Sequence, residues 1–520
     1  MATEPTVERI EAEAVNAKAN RSLYAKRKKI HPKRARGWFR SLKWWIMAVT
    51  LGIYYLTPWV RWDRGPHAPD QAVLVDLANR RFYFFFIEIW PHEFFYVAGL
   101  LVMAGIGLFF ITSTVGRAWC GYTCPQTVWV DLFLVVERYF EGDRNARIKL
   151  DAAPWTGSKI AKSLAKHFVW ILIAIATGGA WIFYFADAPT LAGQFIRGEA
   201  LHVAYATVAI LTATTYVFGG LMREQVCTYM CPWPRIQAAM LDEHSLVVTY
   251  NDWRGEPRSR HAKKHARQGD IVGDCVDCNA CVAVCPMGID IRDGQQLECI
   301  TCALCIDACD EVMEKIGRPD GLISYSTLET YDGNMSLAKG GDVDGTINPT
   351  RVHDGDGSMS DKLAHFHLRD LFRPRTIIYA TIYTLIGLGL LTALLLRDRL
   401  DVNVLHERNP VFVRLSDGSI RNGYQLKILN MKTEPRRFEI SISGLEGAKI
   451  RFGSRGDTRD TDSQVSVRAN RLANIKTFVT LPSDKIKKQR MNFTFIIREL
   501  AGDEKASADA VFDSPEDAFQ

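Results

Sequence analysis

The sequence predicts a multi-domain chain: an α-helical membrane domain of five spans, a small cysteine-rich domain inserted into it, and a C-terminal all-β, immunoglobulin-like sandwich. Three observations predict it. Five stretches lack Asp, Glu, Lys and Arg for long enough to cross a bilayer, which takes roughly 20 residues. All twelve cysteines lie between Cys120 and Cys309, in tight groups. After Asp401 the apolar pattern changes to a period of two. The length of 520 residues excludes one small domain, and 48% hydrophobic content excludes a disordered chain. Mean hydropathy near zero averages strongly unlike segments. A net charge of +6, from 64 Lys and Arg against 58 Asp and Glu, is too small for a general nucleic-acid coat. No nucleic-acid partner is therefore expected. The expected boundaries are a basic N-terminal segment at 1–43, a four-span domain at 44–222, the cysteine-rich domain and linker at 223–375, a fifth helix at 376–396 and the sandwich at 397–520.

The spans run Trp44–Val60, Phe94–Gly116, His167–Ala186, Ala200–Met222 and Thr376–Leu396. The first is short, but Trp44, Trp45 and Trp59 suit the two interfaces. Orientation follows from Lys and Arg. Eleven lie between Lys18 and Lys43, four in the loop Arg61–Glu93, eight between Arg117 and Lys166, and Arg197 alone between spans three and four. This places the N-terminus and the segment Arg223–Arg375 in the cytoplasm, and five spans then place everything after Leu396 outside. No signal peptide is expected ahead of the first span. The run Lys26-Arg27-Lys28-Lys29 reads as a topology anchor against anionic lipid.

Val128–Phe140 has helical spacing with Asp131, Glu137 and Arg138 interspersed, which suits a helix lying along the inner membrane face. Asp332–Gly357, rich in Gly and Asp, reads as a loop, and Asp342-Val343-Asp344-Gly345 as a turn whose glycine comes too early for a calcium loop. Val411–Val413, Tyr424–Leu429, Phe438–Ile442, Val465–Val467, Thr477–Leu481 and Asn492–Ile497 are the expected strands. Six or seven short strands of this kind suggest an antiparallel sandwich. It holds no cysteine, as suits a domain on the oxidising side, and reads as a docking or structural module.

The strongest signal is Cys275-x2-Cys278-x2-Cys281-x3-Cys285-Pro286, followed by Cys299-x2-Cys302-x2-Cys305-x3-Cys309. This is the bacterial two-cluster ferredoxin spacing. Three close cysteines wrap one corner of a cubane, and the fourth comes from elsewhere in the fold. Cys275, Cys278, Cys281 and Cys309 are expected on one [4Fe–4S] cluster, and Cys285, Cys299, Cys302 and Cys305 on the other. Zinc could use CxxC pairs, but the doubled order favours iron–sulfur. Asp310 follows Cys309 where the general ferredoxin pattern has proline, which suggests an altered second loop.

Cys120-Gly-Tyr-Thr-Cys124-Pro125 and Cys227-Thr-Tyr-Met-Cys231-Pro232 follow spans two and four, with Arg117 and Arg223 just ahead of them. Spacing of i, i+4 would put each pair on one helical face, about 5–6 Å apart. Thiolates select Cu(I), zinc or iron–sulfur. The four thiols could also meet as one site if spans two and four are neighbours, with Met222 and Met230 as possible thioether contacts. The plain alternative is buried thiols at helix ends. Haem c is excluded, since no CxxCH occurs.

This constellation resembles the CcoG (FixG/RdxA-like) family of cytochrome c oxidase accessory proteins. The resemblance covers nearly the whole chain. It rests on Trp119–Trp129, on Glu141-Gly142-Asp143-Arg144-Asn145-Ala146-Arg147, on Cys227–Pro232, on the doubled cysteine run and on the terminal sandwich. Membrane quinol dehydrogenases of the periplasmic nitrate reductase system, and nitrous-oxide regulators, share several of these parts. The order of parts and the sandwich favour the oxidase accessory family, and Asp310 fits it. The resemblance implies a cupric reductase of the bacterial inner membrane that serves cbb-type oxidase assembly. Copper would be substrate or transient ligand at Cys120, Cys124, Cys227 and Cys231. Expected partners are the lipid bilayer, a cytosolic electron donor, a copper exporter or chaperone and oxidase assembly factors, with a homodimer left open. A quinol dehydrogenase and a non-enzymatic assembly scaffold are the alternatives.

Overall fold

The computed structural model describes residues 7–16, 28–260, 268, 270–341, 345–354, 358–453 and 464–516. The chain forms two compact units. The first runs to Leu388, apart from Arg61–Ala72 and Phe85–Ile87; the second comprises those two pieces and Gly389–Gln520.

Among the described residues, four helical segments are long and apolar enough to cross a membrane: Pro91–Val115, Gly157–Tyr184, His202–Met222 and Pro374–Leu395. They match the second to fifth expected spans. A further helix, Trp38–Leu56, covers most of the expected first one. Its opening turns carry Arg40 and Lys43, both buried, so its N-terminal end is anchored in protein. The loop after it is not featureless, because Val73–Asp76 pairs antiparallel with Arg81–Phe84.

The helix Pro125–Glu141 follows from Pro125 at its first position and Gly142 past its end, with φ +88°. Its charges do not face outward, as an interfacial helix would place them. Asp131 is held by Arg40 at 3.2 Å and Lys43 at 2.8 Å, while Glu137, 1% exposed, pairs with Arg147 and Arg223. Phe133 stacks on Trp170 at 5.2 Å between those two ion-pair groups. The helix is therefore a packed internal element whose acids hold neighbouring segments.

The cysteine-rich part is built on a two-stranded antiparallel sheet, Val247–Tyr250 against Ile323–Ser326, and two helices, Ala280–Val284 and Leu304–Ile316. The loop expected from Asp332 is helix at first. Leu328–Lys339 starts on Thr327, whose hydroxyl accepts from Thr330 N–H, and stops at left-handed Gly340. Asp342, Val343 and Asp344 lie outside the described residues, as do Lys26 and Arg27. Lys28 and Lys29 pair with Glu13 and Asp151.

The second unit contains the sandwich. One sheet orders Lys449–Phe452, Arg471–Leu481, Ile420–Asn430 and Leu400–His406, with Val413–Arg414 also on Ile420–Asn430; the other orders Gln464–Val467, Arg436–Ser443, Arg490–Glu499 and Lys505–Asp513. Alternate residues point inward, so Tyr424, Leu426, Ile428, Phe438, Phe495, Ile497 and Phe512 form a fully buried core. Three strands exceed those expected: Leu400–His406, Lys449–Phe452 and Lys505–Asp513. Each lies at a sheet edge and mixes charged with apolar residues, which blunts the period-two signal.

Candidate functional site

The two cysteine runs share one backbone form. Asp277 and Asn279 in the first loop have φ of 50° and 58°, and Thr301 and Ala303 in the second have 52° and 59°. Left-handed geometry costs an L-residue about 1–2 kcal/mol. Alternating it with ordinary residues turns successive N–H groups to the inside of the loop. The Ala280 and Leu304 N–H groups face the Cys278 and Cys302 sulfurs, and the Thr301 N–H faces Cys299. The loops differ after the fourth cysteine. Pro286 ends the first helix, whereas Asp310 lets the second run on to Ile316 and accepts from Gly321 N–H at 2.9 Å. Asp310 therefore alters the helix rather than the loop.

The eight thiols gather as two groups of four. Cys275, Cys278, Cys281 and Cys309 line one small cavity with Tyr250, Leu322 and Ile323. Cys285, Cys299, Cys302 and Cys305 line the next, whose wall also includes Cys281. None is in a disulfide. Burial pushes Cys285 up to about 12 and Cys299 up to about 11, with neighbouring thiols adding to it for Cys285. Burial thus disfavours the free thiolate, which a bound metal would stabilise. Among the described residues no three such groups converge on a single ion. A cubane is wider than an ion and spreads its four sulfurs further apart, so this donor set fits [4Fe–4S] clusters better than zinc.

Around the first group, Arg292 bonds Asp290, Asp277 and Asn279, at 2.7 Å, 2.9 Å and 2.8 Å. The N-terminal segment lies along it: Ile10 N–H donates to Cys278 C=O at 2.9 Å and Asn16 N–H to Gly288 C=O at 2.9 Å. Neither Arg292 nor this segment carries a sequence signal of its role. Arg292 lies outside the cysteine spacing, and Ile10 is hundreds of residues from its partner.

The CxxxCP pairs are not on single helical faces. Cys120 lies in the helix Ala118–Tyr122, but Cys124 is extended, with φ −58° and ψ 128°, just before the helix Pro125–Glu141. Cys227 lies in a π-helical turn, Val226–Met230, and Cys231 is extended, with φ −80° and ψ 125°. The reason is in the motif itself, because a residue before proline is disfavoured in the helical region. The four thiols are nevertheless close enough to act on one another's charge. Cys227 feels Cys124, Cys120 and Cys231, and Cys120 feels Cys124 and Cys231. Burial first, then these neighbours, pushes Cys227 up to about 12; burial pushes Cys120 up to about 11, against the pull of Arg117. Cys120 Sγ donates to Gln237 Oε1 at 3.0 Å, and fully buried Gln237 is held in turn by Thr112. Gln237 was not among the expected site residues, and nothing in its spacing marks it. Met230 is largely exposed.

The CxxxCP helix rests on the second cysteine loop. A Cβ on Gly121 would meet Ile300 O at 2.7 Å, Thr301 O at 3.1 Å and Cys302 Cα at 3.1 Å. Tyr122 and Tyr325 hydroxyls lie 3.4 Å apart, and Tyr325 donates to Thr301 C=O at 2.8 Å. Cys120 and Cys227 pack on the same core as the eight other thiols.

Comparison with known proteins finds the same parts. Residues 222–328 match the family described as a 4Fe-4S dicluster domain, residues 97–138 a 4Fe-4S binding domain, and residues 390–515 the IG-like fold at the C-terminus of FixG. The chain is 63% identical to the nitrogen fixation protein FixG of Rhizobium meliloti, over 99% of this chain and 98% of that one. It is 53% identical to protein RdxA of Cereibacter sphaeroides, over 88% of this chain and 91% of that one. Protein RdxB of the same organism is 52% identical over 90% of this chain and 89% of its own length.

Proposed function

The chain belongs to the FixG/RdxA-like family, and on that premise we propose that this membrane iron–sulfur electron-transfer protein reduces copper(II) to copper(I) for maturation of a cbb-type cytochrome c oxidase. The observation that carries the reading is the seat of the Cys120 helix on the loop Ile300–Cys302, which sets soft thiols beside a cluster-type thiol group. Cys275, Cys278, Cys281 and Cys309 would hold one [4Fe–4S] cluster, and Cys285, Cys299, Cys302 and Cys305 the other. Such clusters supply single electrons when bound, and copper(II) takes one.

The remaining roles fall to the chain's own groups. Cys120, Cys124, Cys227 and Cys231 bind the copper ion, losing their thiol protons as they do so. Thiolates stabilise copper(I) more than copper(II), so ligation favours the reduced product. A pair of these thiolates suffices to hold copper(I), and among the described residues no three candidate ligands converge on one ion. Gln237 orients Cys120. The Lys and Arg distribution supports a cytoplasmic N-terminus and cysteine-rich part, with the sandwich in the periplasm. A cytosolic donor would then load the clusters, and a copper exporter or chaperone would take the product.

The test is anaerobic reduction of copper(II) by the pre-reduced protein, trapped with a copper(I)-specific chelator. The variant with Cys120, Cys124, Cys227 and Cys231 all changed to Ser should keep its iron and lose copper binding and most of the reduction rate. Reduction and copper binding at the wild-type level would reject the copper site. Cluster reduction by quinol would instead support the quinol dehydrogenase, and intact protein that reduces no copper the assembly scaffold. A second reading has its own support: the 4Fe-4S binding family matched at residues 97–138 includes Cys120 and Cys124. If these four cysteines hold a further cluster, the same variant drops from about twelve irons to about eight per chain.

A further inference from the structure

Arg117 is 4% exposed and stands at the start of the Cys120 helix, just after Gly116 with φ +60°. Its Nη1 donates to Leu297 C=O, two residues before Cys299. Its Nε and Nη2 have no hydrogen-bond partner. Its guanidinium lies beside the Cys120 sulfur, and its charge reaches Cys227 on that side and Cys299 on the other. Arginine stays charged in proteins, and an uncompensated buried charge is strongly destabilising. Other cations near the second cysteine loop are already matched: Lys43 and Arg40, which face Cys302, are both paired with Asp131. No carboxylate pairs with Arg117 among the described residues. Buried Glu298 also acts on Cys299, and the thiolates that form when metal displaces protons from the cysteines add anions on both sides of Arg117.

We propose that Arg117 is a shared countercharge between the CxxxCP thiols and the group Cys285, Cys299, Cys302 and Cys305, and that this group holds the cluster from which electrons leave. Arg117 is a positioning residue that acts through the sulfurs on both sides. The proposal rests on the copper-reductase reading for what lies at the CxxxCP thiols, but not for the countercharge itself. Reducing a cluster adds one negative charge, and a fixed cation nearby stabilises that state. Arg117 therefore raises the reduction potential of the second cluster and leaves the first, which has Arg292 beside it, unaffected. In the transfer, that cluster gives up one electron and one copper(II) becomes copper(I), with no proton or bond exchanged between them. The first group, on whose loop Ile10 bonds both Cys278 C=O and the Asn279 amide, is left as the place where electrons enter.

The test is a redox titration of the full-length, copper-free protein in detergent, followed by electron paramagnetic resonance. Cys278→Ser and Cys302→Ser assign the two cluster signals. In Arg117→Met the potential of the Cys302 cluster should fall while the other stays, and Arg117→Lys should restore most of the loss. Copper(I) affinity, measured separately by competition with a chelator, should weaken about tenfold in Arg117→Met, as expected for loss of a buried charge-assisted contact. An unchanged Cys302 cluster, or equal shifts in both, overturns the proposal. If Arg117→Met fails to take up iron, Arg117→Gln is read in its place: losing the charge must lower only the Cys302 cluster potential, and an unmoved value overturns the proposal. Because the titration contains no copper, its result stands apart from the copper-reductase reading. A shifted potential with unaltered copper binding upholds the countercharge and places the copper elsewhere.

Discussion

Glu137 is a buried carboxylate between two buried arginines. Arg147 and Arg223 both close on it, and burial alone would favour its neutral form, yet the two cations hold it well below the usual carboxylate range. Arg223 also has φ +45° immediately before the turns that carry Cys227, and its Nε donates to Gly220 C=O at 2.8 Å. Glu137→Leu should therefore leave two buried cations unmatched and cost about 3–5 kcal/mol. Thermal unfolding in detergent reads it, and a loss well under 1 kcal/mol would mean the arginines find other anions. His31 gives a pH dependence. Burial, then Lys29 and Arg147, lowers it to about 4, against the opposing pull of Asp151 and Glu137. A histidine lowered from 6.5 on folding is held neutral, so its contribution is complete above pH 6.5 and is lost as pH falls towards 4. Melting temperature should drop across that window, and His31→Gln should flatten this part of the profile.

At the level of elements, the contact that matters is helix on loop. Gly121 has no room for a side chain because the atoms facing it are backbone, Ile300 O and Thr301 O, which cannot swing aside. Gly121→Ala should push the Ala118–Tyr122 helix off the loop, at about 1–3 kcal/mol. Both clusters should still form, while copper(II) reduction slows as the Cys120 helix moves away from Cys302. Gly105→Ala is the control: nothing lies within 4 Å of its Cβ position, so it should be silent in both stability and rate. Equal effects from the two substitutions would show that helix propensity, not contact, is being measured. The same scale explains the edge strands of the sandwich. Leu400–His406 exposes alternate residues from Asp401 to Leu405, so its one-sided burial is legible only once its partner Ile420–Asn430 is in place.

On the scale of the whole molecule, the proposed sidedness has a direct readout. A reporter joined after Gln520 and active only in the periplasm should be active, and one joined after Lys339 should be silent. Activity of a cytoplasmic reporter at the C-terminus, with the chain intact, would mean an even number of spans. That outcome would single out Trp38–Leu56, whose first turns carry buried Arg40 and Lys43, as a helix that does not cross.

The sequence by itself determined whatever depends on local pattern. Four long apolar runs, the doubled cysteine spacing, and the alternation of Tyr424, Leu426 and Ile428 are each written in contiguous sequence. The departure of Cys124 and Cys231 from their helices overturned the expected single helical faces, although the proline after each already disfavours the helical region. Tertiary structure alone decided what depends on long-range meetings. The pairing of Asp131 with Arg40 and Lys43, the seat of Gly121 on Ile300, the hold of Gln237 on Cys120 and the unmatched charge of Arg117 join segments far apart in the chain. No periodicity reports such contacts, because the chain brings them together only as it buries apolar surface, and a buried charge or thiol then takes its meaning from whatever is packed beside it.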